Sequence, residues 1–556
     1  MRLSPPSPTL LLVIALAAVA VIVTWPLAVQ MRTSFPGDYG DPVFVTWVMA
    51  WVNDHVGHAR FGGFWTGNIF FPERGTLAFS EHFIAQSVMV LPVYWVSGNA
   101  ILSYNVAFLL TFVLTGLGTF LLARALTGSF VAGCTAAFIA AFNEYRLVYE
   151  VAHLHTLSIH WLPFALYWLH RYVETDRRRD LALASLCLVL LNLSSVYYMA
   201  YCAPFVVVFV LLEVLRTGRW RTLRLWLELW AAAAVVAVAT LPFLLPYIDV
   251  QRRFGVTRSL DEVILFSARL EHYRAALPGM AAAVAAAAVG LIGGLFDRTR
   301  RWATATTGIL LALAIWLSLG PVVKYSAEPL GWPSLYALFH SYVPGYSALR
   351  VPARFASLFF LFLAVLAALG IAVVRRVSAA AARLAAAIVI IVFLIRDTPS
   401  PMQMNAPLVS PGLATPPPAY LTPRPEVPAI YRAVEGLRPG AVLVELPFGD
   451  PWYDVRYMYF SIAHHRRLLN GYSGIFPPSF RARQRVLARP LLDPGASAQA
   501  IGGATHVIVH RRAWSDDTGA RLGAWLEAFN ATKIADADDA ALYELPVREG
   551  FAGAVR

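Results

Sequence analysis

Charged residues are scarce in this chain. Asp, Glu, Lys and Arg make up 14% of its 556 residues, whereas soluble domains carry about 25%. Hydrophobic residues reach 58%, and the mean hydropathy is +0.59. This composition predicts an integral membrane protein and excludes an ordinary soluble enzyme.

Acidic residues are fewer than basic ones, so the formal net charge is +12. A charge of that size also suits nucleic-acid-binding proteins. However, the arginines cluster in short loops between hydrophobic runs, where they determine membrane topology and contact lipid headgroups. Membrane lipids are therefore expected partners, and no nucleic acid is expected.

Cysteine is nearly absent, and several nucleotide-binding patterns are missing. Cys134, Cys187 and Cys202 lie in hydrophobic segments and form no Cys-x-x-Cys pair, so neither a disulfide framework nor a zinc site is indicated. The sequence has no Walker A pattern, no Gly-x-Gly-x-x-Gly after a strand and no Gly-x-Ser-x-Gly elbow. ATP hydrolysis and the use of nucleotide sugars through a Rossmann domain are therefore not expected.

Hydrophobic runs fill the first 396 residues of the sequence. A membrane-spanning helix needs about 20 apolar residues. About eleven segments fit that length, at residues 9–29, 101–123, 129–148, 156–172, 181–195, 197–215, 225–246, 275–295, 302–320, 353–374 and 380–396. The first segment continues through Trp25 and Pro26 without a small-residue cleavage site, which favours an uncleaved span over a signal peptide.

One further apolar stretch, residues 83–97, is short and contains Pro92. The Arg-rich loops fall on one side of the membrane only if this stretch does not cross it. It is therefore predicted to be juxtamembrane or re-entrant. The N-terminus is then cytoplasmic in a multi-pass protein of the cytoplasmic (inner) membrane. The outer loops are residues 30–100, 143–155, 247–274 and 321–352, together with everything after about residue 397.

The composition changes after the last hydrophobic run. Residues 397–428 are rich in proline and are predicted to be a linker. Beyond it, residues 441–447, 505–510 and 541–546 have the pattern of short buried strands, with helical stretches at 480–487 and 518–529. The predicted organisation is a transmembrane domain at 1–396, the linker, and a small extracytoplasmic α/β domain at 429–556.

The first acidic residues of the chain lie just beyond the first span, in Gly37-Asp38-Tyr39-Gly40-Asp41-Pro42, and an aromatic helical stretch follows. Pro42 suits the first position of a helix, so Asp41 is predicted to be its N-cap. A cap needs one carboxylate and leaves Asp38 unexplained. Alternatively, one carboxylate is a general base for an acceptor hydroxyl, or the pair helps to hold a divalent cation such as Mg²⁺ or Mn²⁺.

Four other polar residues are predicted to line the same outer cavity. Glu81 and His82 precede the 83–97 stretch. Alternatively, Ser80 caps a short helix there and the Glu81 carboxylate is stabilised by the positive end of that helix. His153 and His155 flank an outer turn between two spans. On a strand this spacing lets two histidines share a metal ion, but on a helix they point apart. A hydrogen-bonding role at the interface is the favoured interpretation.

Two arginines, Arg350 and Arg354, fall on the predicted outer side, where the topology rule does not require them. One interpretation is that they anchor the chain by extending their charged ends to the interface. The other is that they bind the phosphate of a lipid carrier through bidentate hydrogen bonds.

Five groups of residues form one recognisable arrangement along nearly the whole chain. They are Gly40-Asp41-Pro42 with Trp47 and Trp51, Asn68-Ile-Phe-Phe-Pro72, Ser80-Glu81-His82, Leu349-Arg350-Val-Pro-Ala-Arg354-Phe355 and Asn470-Gly-Tyr-Ser-Gly-Ile-Phe-Pro-Pro478. With one N-terminal span, a long first outer loop, many further spans and a C-terminal outer domain, the chain resembles the GT-C superfamily of integral-membrane glycosyltransferases. Within that superfamily it is similar to the bacterial YfhO-type membrane proteins.

The resemblance implies a GT-C-like polytopic α-helical fold, a polyprenyl-phosphate-linked sugar donor, and inversion at the anomeric carbon. The family's base, an acid in the first outer loop, corresponds to Asp41, with Asp38 as the second choice. The residues that bind the donor phosphate correspond to Arg350 and Arg354. Many relatives carry an Asp-Glu pair where this chain has Asp41-Pro42. This departure leaves both the assignment of the base and the requirement for a metal open.

Two functions from different classes remain at this point. The first is a membrane glycosyltransferase that acts at the outer face of the cytoplasmic membrane on an envelope glycan, lipid or protein acceptor. The second is a non-enzymatic transporter, flippase or assembly factor for envelope lipid or polysaccharide, which should carry polar groups at mid-membrane and on both faces. The few charges inside the hydrophobic runs favour the enzyme.

Overall fold

The computed structural model describes residues 7–255, 257–343, 345–397, 401–406, 413–414 and 427–546. Helix formation begins at Pro8, where Ser7 is the N-cap and its hydroxyl accepts a hydrogen bond from the Leu10 amide. Helices α1 to α5 follow in order, at Pro8–Val23, Leu27–Gln30, Asp41–Gly57, Ile84–Ser97 and Ala100–Thr127.

The middle of the chain is also helical. Serine side chains cap the first turns of several of its helices, for example Ser129, Ser195 and Ser334. Helices α6 to α17 lie at Phe130–Ala141, Leu154–Leu157, Trp161–Thr175, Arg178–Ser194, Val196–Arg216, Leu223–Phe254, Leu260–Leu265, Leu270–Phe296, Arg301–Ser318, Leu335–Tyr342, Ala356–Val377 and Ala379–Asp397. A small hairpin, β1 at Lys324–Tyr325 and β2 at Glu328–Pro329, precedes α15.

Six segments of the described residues are long and apolar enough to cross a membrane. They are Ala100–Thr127, Val196–Arg216, Leu223–Phe254, Leu260–Phe296, Arg301–Ser318 and Pro352–Val377. Each of the other predicted spans overlaps a shorter helix, such as α1 or α8. The chain is therefore a polytopic helical membrane protein, as expected, while the number of crossings and their orientation stay predictions.

The chain divides into two compact units. Unit 1 comprises Met1–Trp25 and Phe108–Pro401, and unit 2 comprises Pro26–Ala107 and Met402–Arg556. In unit 1, α13 crosses α16 at two glycines: a Cβ on Gly290 would lie 2.2 Å from the Leu366 carbonyl oxygen, and one on Gly370 would lie 1.9 Å from the Ala286 carbonyl oxygen. Such small residues let helix backbones approach closely inside a membrane.

The C-terminal part of unit 2 is an α/β domain with helices on a mixed sheet. Helices α18 to α22 lie at Ala429–Glu435, Pro451–His464, Pro478–Leu487, Pro494–Ala500 and Thr518–Ala528. Strands β3 to β7 lie at Val442–Leu446, Arg467–Leu468, His506–His510, Thr532–Ala537 and Ala540–Glu544. The sheet order is β4-β3-β5-β7-β6, with β4, β3 and β5 parallel and β7 antiparallel to its neighbours. The three predicted strands correspond to β3, β5 and β7.

The first loop of the chain completes this domain. The Leu468 amide donates to the Asn68 carbonyl oxygen, the Phe71 amide donates to the Leu468 carbonyl oxygen, and the Phe70 amide donates to the Asn470 carbonyl oxygen. These bonds cover β4, which would otherwise be an open sheet edge. A second pairing joins residues 35–38 to residues 403–406. Most of the predicted linker at 397–428 lies outside the described residues.

Candidate functional site

Asp41 begins helix α3, but it does not cap it. The N-cap is Gly40, and no side chain makes a capping hydrogen bond. The prediction that Asp41 is the N-cap is therefore wrong, because Pro42 occupies the second helical position and not the first. The half-buried Asp41 carboxylate instead accepts a hydrogen bond of 2.8 Å from the Tyr472 hydroxyl.

Tyr472 belongs to the 470–478 segment, and its ring is fixed by aromatic neighbours. It packs edge-to-face on Phe44, with ring centroids 5.6 Å apart, and on Phe476 at 6.1 Å. The hydroxyl is thus held over the first turn of α3, where a carboxylate also benefits from the positive end of the helix. This arrangement holds Asp41 in one orientation.

Asp38 has a local structural role that the sequence did not reveal. Its Oδ1 accepts a hydrogen bond of 2.8 Å from the Gly40 amide, as in an Asx turn, and its backbone takes part in the pairing with Ala406. The residue that capping left unexplained is therefore the one that shapes the turn. A catalytic role for either carboxylate stays a prediction.

Tyr104 lies close to both carboxylates. The charges of Asp38 and Asp41 act electrostatically on its hydroxyl. The Tyr104 side chain is fully buried, and its hydroxyl has no hydrogen-bond partner among the described residues. A buried hydroxyl without a partner is unfavourable by about 1–3 kcal/mol, so this group is available to a polar ligand that reaches the carboxylates.

Glu81 and His82 are both buried in unit 2. His82 Nδ1 accepts a hydrogen bond from the Ile84 amide, and its ring contacts Trp65. Burial lowers the pKa of His82 to about 3, so the ring is neutral near pH 7. Ser80 does not cap α4, whose N-cap position is Phe83. His82 therefore acts as a structural acceptor, and a role for Glu81 and His82 in lining a cavity stays a prediction.

We expect unit 2 to lose stability as the pH falls below about 6.5. His464 repeats the His82 arrangement: its Nδ1 accepts from the Arg466 amide, and burial lowers its pKa to about 3. Because both folded-state pKa values lie below the unfolded value, their neutral forms contribute stability above pH 6.5 that is lost progressively towards pH 3. Each histidine contributes a slope of up to about 1.4 kcal/mol per pH unit. Thermal unfolding of the detergent-solubilised protein at pH 7.5 and pH 5 would measure the loss.

His82→Asn is the matched control for this titration. The asparagine carbonyl can accept the same backbone N–H but does not titrate in this range. The variant should therefore lose less stability between the two pH values than the wild-type protein. An unchanged pH dependence would contradict the assignment to His82.

In unit 1, the predicted residues surround a carboxylate that the sequence analysis did not single out. Glu150, in the turn before α7, is buried and accepts hydrogen bonds from the Tyr145 hydroxyl at 3.0 Å and the Thr156 hydroxyl at 2.7 Å. His153 Nδ1 lies 3.1 Å from Glu150 Oε2, and Arg354 Nε lies 3.9 Å from the same oxygen. Burial opposes the ionisation of Glu150, but these groups outweigh it and lower its pKa to about 2.

Arg354 and Arg350 differ in their surroundings. The Arg354 side chain is 9% exposed, lies over the Tyr197 ring, and its Nε makes no hydrogen bond among the described residues. Arg350 is 40% exposed, 3.8 Å from Glu262, and lies over the Phe266 ring. Arg354 is thus a buried cation whose one acidic partner among the described residues, Glu150, is 3.9 Å away, which leaves its guanidinium able to bind a further anion.

His153 and His155 lie close together, although helical spacing predicts that they point apart. Their ring centroids are 5.8 Å apart because His153 precedes α7 and is not part of it. Burial and the charges of Arg354, His153 and Arg350 hold the pKa of His155 well below its usual value. Both histidines therefore border the Glu150–Arg354 pair, and their predicted role in lining a cavity remains a prediction.

The described residues contain no group of three or more His, Cys, Asp or Glu side chains placed to hold a metal ion. Asp38 and Asp41, the residues suggested for Mg²⁺ or Mn²⁺, accept hydrogen bonds from the Gly40 amide and the Tyr472 hydroxyl. The possible divalent cation at Asp38 and Asp41 therefore stays a prediction.

No protein-family model matches the sequence, and no curated protein matches it. Solved structures do match the fold. The arabinofuranosyltransferase AftD from Mycobacteria is similar over 98% of this chain, with a TM-score of 0.61 and 14% sequence identity, and the chain spans 40% of the length of AftD. ArnT from Cupriavidus metallidurans, bound to undecaprenyl phosphate, is similar over 97% of this chain and 98% of its own, with a TM-score of 0.50 and 12% identity.

Identities this low show the fold alone. The structural similarity to AftD and ArnT, together with the helices and the C-terminal sheet described above, confirms the predicted GT-C-like membrane fold with a small C-terminal α/β region. The narrower resemblance to YfhO-type proteins stays a prediction.

Proposed function

We propose that this protein is a GT-C-type membrane glycosyltransferase. It would transfer a sugar from a polyprenyl-phosphate-linked donor to an envelope glycan, lipid or protein at the outer face of the cytoplasmic membrane. The observation that carries the proposal is the state of Asp41: it is half-buried, does not cap its helix, and is held by Tyr472 on a GT-C fold. The alternative of a transporter or flippase has no comparable observation behind it.

Asp41 is assigned as the general base. Oδ1 of the carboxylate accepts a hydrogen bond from the Tyr472 hydroxyl, and a free lone pair of the carboxylate takes the proton of the acceptor hydroxyl. The acceptor oxygen forms a bond to the anomeric carbon as the bond from that carbon to the phosphate oxygen breaks. The polyprenyl phosphate leaves with the electron pair, and the configuration inverts. Tyr104, whose hydroxyl lies within electrostatic reach of Asp41, is available to hydrogen-bond the acceptor.

The donor phosphate is assigned first to Arg354 and second to Arg350. A buried guanidinium with an unused donor binds a phosphate oxygen more strongly than an exposed one, because less water competes for it. Glu150 keeps Arg354 in place and prevents it from being an unpaired buried charge before the donor binds.

The polyprenyl chain needs an apolar environment, and unit 1 contains one. A cavity of about 550 Å³ lies among α8, α9, α10 and α11. Its walls are mostly aliphatic, including Leu188, Val206, Val210 and Leu229. This lining suits a hydrocarbon chain and would not satisfy a polar ligand.

The proposed function is tested by mass spectrometry of lipid-linked and surface glycans from cells with and without the protein. The expected result is the loss of one sugar from an envelope glycoconjugate and the accumulation of its polyprenyl-phosphate-linked donor. Complementation with wild-type protein should restore the product, and complementation with Asp41→Asn should not. Glycans that are identical with and without the protein would reject the enzyme.

Tyr472→Phe should lower kcat by roughly 10-fold or more and leave the KM for the donor unchanged. The variant keeps the ring between Phe44 and Phe476 and removes only the hydrogen bond to a charged group, which is worth about 1.5–3 kcal/mol. Steady-state kinetics would separate the two constants. Tyr453→Phe is the matched control, because it removes a tyrosine hydroxyl of the same unit that donates a hydrogen bond of 2.9 Å to the Ala414 carbonyl oxygen and not to Asp41. Equal losses in both variants would mean that Tyr472 acts through stability alone.

A further inference from the structure

Two adjoining cavities in unit 2 have no role in the proposed chemistry. The first has a volume of about 570 Å³ and lies where α3 passes between α4 and α19. The second has a volume of about 490 Å³ and is bordered by the loop of residues 63–74. Trp51 and His465 line both. The two cavities therefore adjoin at these side chains, and we call them together the α3 groove.

Aromatic side chains form much of the wall of the first cavity. Trp95 is the most accessible of them, with 57% of its surface exposed. Its indole packs against Gly57 of α3, where a Cβ would lie 2.6 Å from the ring. The ring is therefore fixed by the backbone on one side while more than half of its surface remains available. Such a ring can pack against the apolar C–H face of a sugar.

Hydrogen-bonding groups stand beside the aromatic rings. His55 Nδ1 and His58 Nδ1 lie 2.9 Å and 2.8 Å from the Trp51 and Asp54 carbonyl oxygens. Because a carbonyl only accepts, each Nδ1 is the donor, and each Nε2 of the neutral ring is an acceptor. The Asp54 carboxylate, which accepts from the Tyr94 hydroxyl, and the Arg60 guanidinium add an acceptor and a donor. This mixture suits a ligand with many hydroxyl groups.

The charges of the groove are nearly balanced. Asp54 and Arg60 stand in the first cavity, and Glu73, Arg74 and Arg467 in the second. Glu73 accepts from the Ser479 hydroxyl, and the Arg467 guanidinium lies over the Phe71 ring. A polyanion such as a nucleic acid would need a strongly positive lining, and a lipid chain would need the aliphatic lining seen in unit 1. The lining favours an uncharged, polyhydroxylated ligand.

The groove and the proposed base share one helix. Trp51 follows Asp41 by ten residues of α3, which corresponds to about 15 Å along the helix axis. A ligand with one hydroxyl at Asp41 and its other end in the groove must be at least that long. A single sugar is too short to do this, but a short oligosaccharide is not.

We propose that the α3 groove binds an oligosaccharide, which is the glycan acceptor of the transfer reaction. The acceptor role rests on the proposed function, whereas oligosaccharide binding itself does not require catalysis. It narrows the acceptor to a glycan of several residues, bound on aromatic and histidine side chains of the first loop and α19.

Binding is tested on full-length protein in nanodiscs without any donor. The probes are linear oligosaccharides of common hexoses and pentoses up to hexasaccharide length, with the corresponding monosaccharides, and binding is read by saturation-transfer NMR. We expect the longer oligosaccharides to bind to the wild-type protein and the monosaccharides not to bind. Trp95→Ala should weaken this binding by about tenfold or more. Trp332→Ala is the matched control, because Trp332 is 58% exposed and lies in unit 1.

The outcomes separate this proposal from the proposed function. Because no donor is present in the binding assay, the oligosaccharides should bind to the wild-type protein whether or not it transfers sugar. Binding with no measurable transfer would reject the enzyme and keep the groove. Transfer without binding of any oligosaccharide, or equal binding by wild-type and Trp95→Ala protein, overturns the groove. If Trp95→Ala changes only the retention of the protein in nanodiscs, Trp95 is an interfacial anchor and the proposal is also overturned.

Discussion

Replacing Asp41 with asparagine is expected to lower the rate of sugar transfer by roughly 10²- to 10⁴-fold, the usual contribution of a general base. Asparagine has nearly the same shape, and its carbonyl oxygen can still accept the hydrogen bond from Tyr472. The fold should therefore survive while the proton acceptor is lost. Transfer from a polyprenyl-phosphate-linked sugar to an acceptor, followed by mass spectrometry, would measure the loss, and the thermal unfolding temperature would verify the fold.

Asp38→Asn is the control that separates the two carboxylates. Asp38 Oδ1 accepts a hydrogen bond from the Gly40 amide, and an asparagine oxygen can accept the same bond. The transfer rate should therefore fall by less than about tenfold. If Asp38→Asn abolishes transfer while Asp41→Asn does not, the base is Asp38. Full activity in both variants would remove the pair from the mechanism.

The second large effect is expected at Arg354. Arg354→Lys should weaken the binding of the proposed polyprenyl-phosphate donor by about tenfold or more, because lysine keeps the charge but loses the planar pair of donors that fits a phosphate. The remaining charge still partners Glu150, so the protein should fold. Arg354→Gln should weaken binding further and also destabilise the protein by about 3–5 kcal/mol, because it leaves the buried Glu150 carboxylate without its cation.

Arg350→Lys provides the comparison for Arg354. Arg350 is 40% exposed, so its contribution to binding is reduced by water, and the loss should stay within about threefold. Native mass spectrometry with undecaprenyl phosphate would measure both affinities. Equal losses at the two positions would assign the phosphate to both arginines, and a wild-type affinity in Arg354→Lys would exclude the bidentate contact.

Local patterns in the sequence were sufficient for the long apolar helices and for three strands. The hydrophobic runs and the short apolar stretches at residues 441–447 and 505–510 are set by neighbouring residues, so they can be recognised without tertiary information. Strand β4 was missed because it has two residues. Helix α19 was missed although Asp450 is its N-cap and Pro451 its first residue, which is a recognisable start signal.

The candidate site was predicted less well, because its contacts join distant residues. Tyr472 approaches Asp41 from more than four hundred positions away, and no local pattern reports such a pair. Glu150 was overlooked although it lies between two apolar segments, three residues before His153. Its position between two apolar segments was the available signal, since a carboxylate at such a place needs a cation or hydrogen-bond donors.

Unit 2 is built from two separate pieces of the chain, Pro26–Ala107 and Met402–Arg556. The ribosome makes the first piece early, but its pairing partners at residues 403–406 and 466–470 emerge only after residues 108–401 have been synthesised. Until then the loop holding Asp41 lacks Tyr472 and the strand that it covers. Domains usually fold as they are synthesised, and this one must wait. A protein truncated after α17 would therefore lack Tyr472 and the partners of its first loop, so unit 2 cannot assemble until residues 403–472 have been synthesised.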